Sequence, residues 1–532
     1  MKKILALILA VMLLAGICTA CQQGGTSQPA SSKAESTEAS SKAPEKKDPV
    51  KLRYYYRNSA GEQEYTKQVA DAMNQLLANI EGCEHITIEL IPVKPGEYQT
   101  TFTLDETSGA QIDLVATYEL NYSTLADAGS FLDLSDLLAQ HPAITDELPE
   151  WLIQMGLYKG TQYMVPTYQR ATNGHFFLTP NAYLEAANVT ADEIRNIFQK
   201  GTLTEKLDFL ENYCRAVREG TNIETKYFEP LPSWLLFWVD FIGNNFGQLL
   251  LRNGADGPEF WSLTDDAKTC FEYAARWYQE GLIHPDVATY NGADFAGKNI
   301  LNDQSVIFEC HENTGTEEQV LAGVSWAQDI PATAINMHDG WYIGSTWAAG
   351  GNAIHSTCKN PDDAMKIIEL LMTEKGKEFY NQFIWGIEGI HWEWEDKANE
   401  RIKTLEFSGS QGGADTTYST WKWNVGNTFN AWKNQAVPDG MNEFILDEVH
   451  NGKSTILSKM MGYTWDLSDV QDQINNIRTV VSEYQSSIEL GIYGADWEAK
   501  YNEYVQKLKA AGVDTVLETV TKQYNDYQAS KK

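Results

Sequence analysis

The stretch "VKLRYYYR", Val50–Arg57, opens the folded part of the chain and decides how the rest is read. It is short and alternating, as a half-buried strand is. It leads into "EYTKQVADAMNQLLANI", Glu64–Ile80, where Val69, Met73, Leu76, Leu77 and Ile80 recur at helical spacing and give one apolar face. "HITIELIPV", His85–Val93, alternates again, and "QIDLVATY", Gln111–Tyr118, gathers Ile112, Leu114 and Val115 as a buried strand does. Strand, helix, strand and strand in this order predict a βα-layered body with a largely parallel sheet.

Downstream, "GTQYMVPTYQR", Gly160–Arg170, predicts a short strand interrupted by Pro166, and "SVIFEC", Ser305–Cys310, another. The helices then lengthen. "LTDDAKTCFEYAARWYQEGLIHPD" places Ala267, Phe271, Ala274 and Tyr278 on one face and stops at Gly281. "KNPDDAMKIIELLMTEKG" offers Asn360 as cap, Pro361 at the first helical position, two acids in the first turn and Gly376 as the stop. From Ser468 the chain reads as helix, with a capping box at Ser468 and Gln471. Val470, Ile474, Ile477, Val481, Tyr484 and Ile488 form the first apolar stripe, and Trp497, Tyr501, Tyr504 and Leu508 the next, ended by Gly512. These stripes are packing faces.

Upstream of Val50 the composition changes. Lys2 and Lys3 precede fourteen uncharged residues, Ile4–Ile17. A membrane-spanning helix needs about 20 apolar residues, so the run is too short to span and reads as an export signal. Ala20 precedes Cys21, and the seam is similar to the acylation signal of bacterial lipoproteins, although Cys18 stands where a leucine is usual. Residues 1–20 are then a lipoprotein signal peptide and Cys21 the lipidated terminus. Gln22–Pro49 has no large apolar side chain and predicts a disordered tether, residues 21–49 with the cysteine. Its root-mean-square reach is about 30 Å. Two acyl chains hold a protein stably where one does not.

About 480 residues remain, enough for two lobes. The net charge is −32, and losing Lys2 and Lys3 with the leader makes it −34. Nucleic acid is therefore excluded as a partner, because phosphate binding needs clustered Lys and Arg. An acidic surface also repels an anionic membrane, which leaves the acyl anchor as the attachment. The body carries Cys83, Cys214, Cys270, Cys310 and Cys358, an odd number without a C-x-x-C, so neither a disulfide framework nor a zinc site is indicated.

No phosphate-binding glycine loop, dinucleotide fingerprint, H-E-x-x-H or G-x-S-x-G is present. The nine histidines show no metal-ligand spacing. The 73 acids supply no evidence for a glycosidase pair, since so many will always include one by chance. No cofactor, metal or catalytic residue is expected. Aromatics are in excess, with 16 Trp and 26 Tyr. "WLLFWVD", "GWYIGSTWAAGG", "WGIEGIHWEWED" and "STWKWNVGNTFNAW" place them beside Gly, Asn, Asp and Glu. A flat aromatic covers the C–H face of a sugar ring, and polar neighbours hold its hydroxyl rim. Core filling is the competing reading for each tryptophan taken singly.

With "KQVADAMNQLL", "GAQIDLVAT", "YKGTQYMVP", the region around "FIWGIEGIHW" and the tail "GYTWDLSDVQDQINNIRTVVSEYQSSIELG", the chain resembles the extracellular solute-binding proteins, family 1, of bacterial ABC transporters. Within them it is similar to the lipoprotein branch with a C-terminal domain of unknown function. The resemblance implies an α/β, two-lobed, periplasmic-binding-protein-like fold (type II), with a hinge and a helical C-terminal extension. Lobe 1 would be residues 50–167 and 345–388, and lobe 2 residues 168–344 and 389–532, including the helical region from about 460. Chain crossings would lie near Pro166, Gly344–Gly351 and Trp385. The implied function is non-catalytic capture of a carbohydrate, an oligosaccharide, in the inter-lobe cleft and its delivery to permease subunits. The protein would be a monomer, lipid-anchored on the extracellular face of the cell membrane. Tyr56, Tyr118, Arg170, Trp234, Asp240, Glu309, Trp341, Trp347, Glu388 and His391 are the expected ligand contacts, chosen at strand ends, hinge loops and aromatic–acid clusters. A surface-anchored glycoside hydrolase, and a binding protein of the same fold for a peptide or other solute, remain as alternatives.

Overall fold

A computed structural model of the chain describes residues 47–531 apart from positions 59, 173, 222–226, 228–235, 244–247, 290–309, 325, 346–349, 406–416 and 435–436. Cys21 and its flanking leader and tether therefore lie outside the described residues. Asp48–Lys532 forms one compact unit. Among the described residues no helix is long and apolar enough to cross a membrane.

The first sheet is built from the opening stretch. β1 (Val50–Arg57) lies between β2 (Ile86–Val93) and β3 (Leu114–Ala116), all parallel, with Val50 opposite Ile86 and Tyr54 opposite Leu114. Strand Gly351–Ile354 then pairs antiparallel with β3, and Val165–Pro166 closes the far edge. Pro166 sits on an edge strand, where its missing N–H costs no ladder bond. The alternation of β1 sends Leu52, Tyr54 and Tyr56 to one face and Tyr55 to the other. The first face packs on Val69, Met73 and Leu77 of α1 (Thr66–Leu77) and on helices Pro361–Met372 and Lys377–Trp385. The second packs on Tyr98 and Phe102 of helix Tyr98–Ser108. A parallel sheet covered on both faces is the stable form of such strands.

The second body is centred on the fully buried strand Gly174–Pro180, flanked antiparallel by Cys310–Asn313 and Ala332–Asn336. A three-stranded sheet of Val239–Phe241, Leu249–Arg252 and Glu259–Phe260 lies beside it. Phe177, Trp261, Phe271 and Trp277 share one core with Ile477, Val481, Tyr504 and Val520 of the C-terminal helices Gln471–Glu489, Trp497–Ala510 and Val513–Ser530. The tail is thus packed into this body. Trp392, Ile402, Tyr418 and Val425, from a segment expected with the second lobe, bury in the first core instead.

Local expectations meet three outcomes. Gly281 and Gly512, with φ of +65° and +95°, follow their helices as expected. The helix expected to begin at Ser468 starts at Gln471, and Ser468 instead donates to Asp466 Oδ1 at 2.6 Å, so the side chain closes a turn rather than a capping box. Helix Pro361–Met372 ends four residues before Gly376, because Thr373 is extended (φ −111°, ψ 157°), and Gly376 packs directly against the Leu370 backbone, where a Cβ would fall 1.9 Å from its carbonyl oxygen. Among the described residues Cys83, Cys214, Cys270 and Cys358 form no disulfide.

Candidate functional site

A cavity opens between the first core and the smaller cluster around Trp341, Met441 and Ile445. Ile384 and Trp385, at the end of helix Lys377–Trp385, form one wall. Thr420, Lys422, Trp423, Thr428, Phe429 and Trp432 form most of the rest, and Arg170, Thr314, Asn434, Met441, Asn442 and Ile445 complete it.

The stretch Ser419–Trp432 takes its place because distant polar groups bind its backbone. Asn381 donates from Nδ2 to the Asn430 carbonyl at 2.8 Å and accepts from the Trp432 amide at 2.7 Å. Asn427 donates from its amide to Leu371 O and from Nδ2 to Met372 O, both at 3.1 Å. The Thr428 amide and hydroxyl both reach Tyr168 O, at 2.8 and 3.0 Å. Gly426 is required by contact, since a Cβ there would lie 2.6 Å from Leu371 O and 2.6 Å from the Tyr380 ring. Satisfied this way, the irregular backbone is held rigidly at the cavity wall.

The cavity pairs aromatic faces with cations. Lys422 Nζ lies 4.8 Å from the Trp423 ring centre and 5.8 Å from that of Trp385, and the Arg170 guanidinium lies 5.3 Å from Trp423. These are cation–π distances. Burial, then the Arg170 charge, pushes the Lys422 ammonium down to about 8. His450 supports Arg170 from behind: Nε2–H donates to the Arg170 carbonyl at 2.9 Å, which leaves Nδ1 to accept from the Tyr168 hydroxyl at 3.1 Å. Burial lowers the His450 imidazole to about 4, so it is neutral at pH 7.

A second aromatic–cation group stands at the carboxyl ends of β1 and β3, where open α/β sheets place ligands. The Arg57 guanidinium lies 3.9 Å from the Trp421 ring centre and 5.8 Å from that of Tyr118, and its Nε donates to Glu119 at 2.9 Å. Arg57 Nη1 is buried without a hydrogen-bond partner, as is Trp421 Nε1.

Of the residues nominated from sequence, the structure brings Arg170 to the cavity and Tyr118 to the Arg57 group. Tyr56 is fully buried between Tyr54 and Phe383. Asp240 is buried among chain crossings, accepting from Tyr342 Oη at 3.3 Å, the Ser345 amide at 2.9 Å and the Ser458 hydroxyl. Burial pushes its carboxyl up to about 6 against those hydrogen bonds. It staples strand Trp341–Ile343 and the segment after Thr455–Leu457, which pair in parallel. Trp341 is buried against Phe444. His391 closes a turn by accepting from the Ile387 amide at 2.9 Å, and Glu388 is exposed on that turn. Trp234, Glu309 and Trp347 lie outside the described residues. Trp421, Lys422, Trp423 and Trp432 were not nominated, although the "STWKWNVGNTFNAW" pattern held the signal.

Comparison with solved structures fixes what this architecture is. The N-glycan transport solute binding protein NgtS of Streptococcus pneumoniae superposes with a TM-score of 0.68 at 19% identity, covering 91% of this chain and all of that one. The fold is that of the two-lobed extracellular solute-binding proteins of ABC transporters. An extracellular solute-binding protein of Bifidobacterium longum subsp. infantis gives 0.58 at 16% identity over 90% of this chain and 99% of its own. The S. pneumoniae substrate-binding protein FusA, solved with kestose, gives 0.53 at 14% over 90% and 100%. Residues 459–529 match DUF3502, a domain of unknown function found at the C-terminus of such proteins. No curated protein sequence matches the chain. These neighbours are binding proteins rather than enzymes.

Proposed function

We propose that the protein is the solute-binding component of an ABC importer that captures a carbohydrate, an oligosaccharide, without altering it and hands it to the permease. The observation that carries this reading is the cavity wall itself: Trp385, Trp423 and Trp432 beside Thr420, Asn434 and Asn442. Flat rings match the C–H face of a pyranose, and the amides and hydroxyl match its rim. Neighbours of the same fold support it, since NgtS is solved with Man1GlcNAc and with Man5GlcNAc, and FusA with kestose.

In this reading residues 50–167 and 345–388 form one lobe, with the stretch through Trp432 as its cleft edge, and the C-terminal helices belong to the other. Closure follows from contact with both lobes, because a ligand shifts a two-state equilibrium only by its differential affinity for the shut form. Cys21 anchors a monomer to the outer face of the membrane through its acyl chains. The test is a thermal-shift screen of the purified protein against oligosaccharides. A ligand at 100 times its Kd adds about 2.7 kcal/mol, and the sugar should be recovered intact. Release of new reducing ends would make the protein a hydrolase, and stabilisation by peptides alone would move the ligand to another class.

A further inference from the structure

Two buried donors stand idle beside the cavity. Trp421 lies between Thr420 and Lys422, which both line the cavity, yet its own ring centre is stacked 3.9 Å from the Arg57 guanidinium carbon. Arg57 is 8% exposed and its Nη1 has no hydrogen-bond partner, nor has the buried Trp421 Nε1. Asn424, whose amide closes the same turn on the Trp421 carbonyl at 3.1 Å, is buried and leaves Nδ2 unpaired as well. The guanidinium charge is balanced, because Glu119 accepts from Nε at 2.9 Å. Glu119 is itself held in the left-handed region, φ +70°, with its second carboxylate oxygen on the Gly96 amide at 3.4 Å. Arg57 is therefore fixed by a partner on one edge and a ring on one face, with an N–H left over.

A buried N–H without an acceptor costs the desolvation of the group, and folded proteins leave few of them. The orphaned groups here are all donors beside a balanced charge, so the partner they lack is an uncharged acceptor oxygen. We propose that Arg57 and Trp421 form a second sugar subsite beside the cavity, where an oxygen of a neighbouring unit (hydroxyl, ring or acetamido) accepts from Arg57 Nη1 and Trp421 Nε1. This rests on the carbohydrate reading above and gives the oligosaccharide a second point of attachment. Tyr118 meets Trp421 edge-on at 5.8 Å and walls the subsite. Tyr118 and Trp421 are half-buried and belong to none of the packed cores, so rotation of either ring opens the guanidinium at little cost to packing. The stretch Ser419–Trp432 then serves both subsites, with Trp423 at the first and Trp421 at the second.

The test is titration calorimetry on the purified protein with neutral gluco-, manno- and fructo-oligosaccharides of one to six units. Affinity should rise by about 10-fold or more from the shortest glycan bound to one that reaches both subsites. Trp421→Phe keeps a ring and removes only the N–H. It should weaken the longer glycans by about 3- to 10-fold, and the shortest by less. Arg57→Gln should weaken the longer glycans by about 10-fold or more, because hydrogen bonds from a charged donor are stronger. Since the indole N–H has no partner in the sugar-free protein, Trp421→Phe should leave the ligand-free denaturation midpoint unchanged or raise it. A lowered midpoint with unchanged affinity would make that N–H structural and overturn the inference. Equal affinity of Trp421→Phe and the unaltered protein for every glycan assigns the donors to bound water, which also overturns it and leaves the carbohydrate reading standing. Binding of no glycan removes both. If Arg57→Gln unfolds on losing its Glu119 pair, Trp421→Phe decides alone.

Discussion

"WGIEGIHWEWED", Trp385–Asp396, and "STWKWNVGNTFNAW", Ser419–Trp432, look alike as composition: tryptophans among Gly, Asn and charged residues. The structure uses them differently. In the first, Trp392 is buried, donates from Nε1 to Gly386 O at 3.1 Å and packs 5.2 Å from Trp394 and 4.8 Å from Trp432. Gly386 (φ +76°) permits the turn, and a Cβ there would lie 2.7 Å from His391 Nδ1. In the second, Trp423 and Trp432 reach the cavity because Asn381, Asn427 and Tyr168 hold the backbone at its wall. The difference teaches that aromatic density locates candidates, while the partners of the backbone decide which tryptophans line the cavity. Trp385 and Trp432 belong to both settings, each with a ring that lines the cavity and packs with the first core.

The comparison can be broken most directly at Trp392. Trp392→Ala should cost about 3–5 kcal/mol of stability by leaving a core cavity, read as a shift of the denaturant midpoint, with the folded fraction keeping its ligand affinity. Loss of affinity without loss of stability would reverse the roles of the two stretches. Trp423→Ala should do the opposite, weakening ligand binding by about 30-fold or more, as truncation of a buried aromatic anchor does, while the ligand-free midpoint stays nearly fixed. Calorimetry and denaturation on the same sample separate the two.

A smaller effect sharpens the account of the cavity's support. His450 titrates near 4 in the fold and near 6.5 when unfolded. Its folded pKa is depressed, so the unfolded chain takes up the proton first and stability falls as pH drops below about 6.5. At pH 5.5 the loss should be about 1.4 kcal/mol. Asp240 contributes with the opposite slope, because its pKa is raised to about 6 and its stabilisation fades as pH rises. The measurement is therefore the difference between the protein and His450→Gln across pH 7.5 to 5, in which the Asp240 contribution cancels. A flat difference would show that His450 is not the buried neutral support of the Arg170 carbonyl. Smallest of all, Glu388→Ala on the exposed turn should change both stability and affinity by less than about 0.5 kcal/mol. A larger loss of affinity would bring the first stretch back into the binding surface.

Much of the first body was legible. Alternation in Val50–Arg57 and the 3.6-residue recurrence of Val69, Met73 and Leu77 are local signals, and the sheet and its covering helix follow from them. Arg170 was legible for a related reason, being placed by the strand that ends at Pro166. Lys422 and Trp423 were not. Their exposure to the cavity depends on contacts from Asn381 and Tyr168, which stand 51 and 260 residues from their donors in the stretch. His391 and Trp341 were read as ligand contacts from their company in sequence, yet the hydrogen bond to Ile387 and the packing on Phe444 place them inside.

By itself the sequence determined the class of the fold, since strand and helix periods are written in consecutive residues. It also determined the absence of clustered basic charge for nucleic acid. Tertiary structure alone decided which tryptophans face the cavity, that cations gather there in an acidic chain, and that Asp240 ties Tyr342 and Ser345 to Ser458. Those outcomes depend on pairs of residues far apart in the chain, and a buried charge or ring acquires its role only from what the fold sets against it.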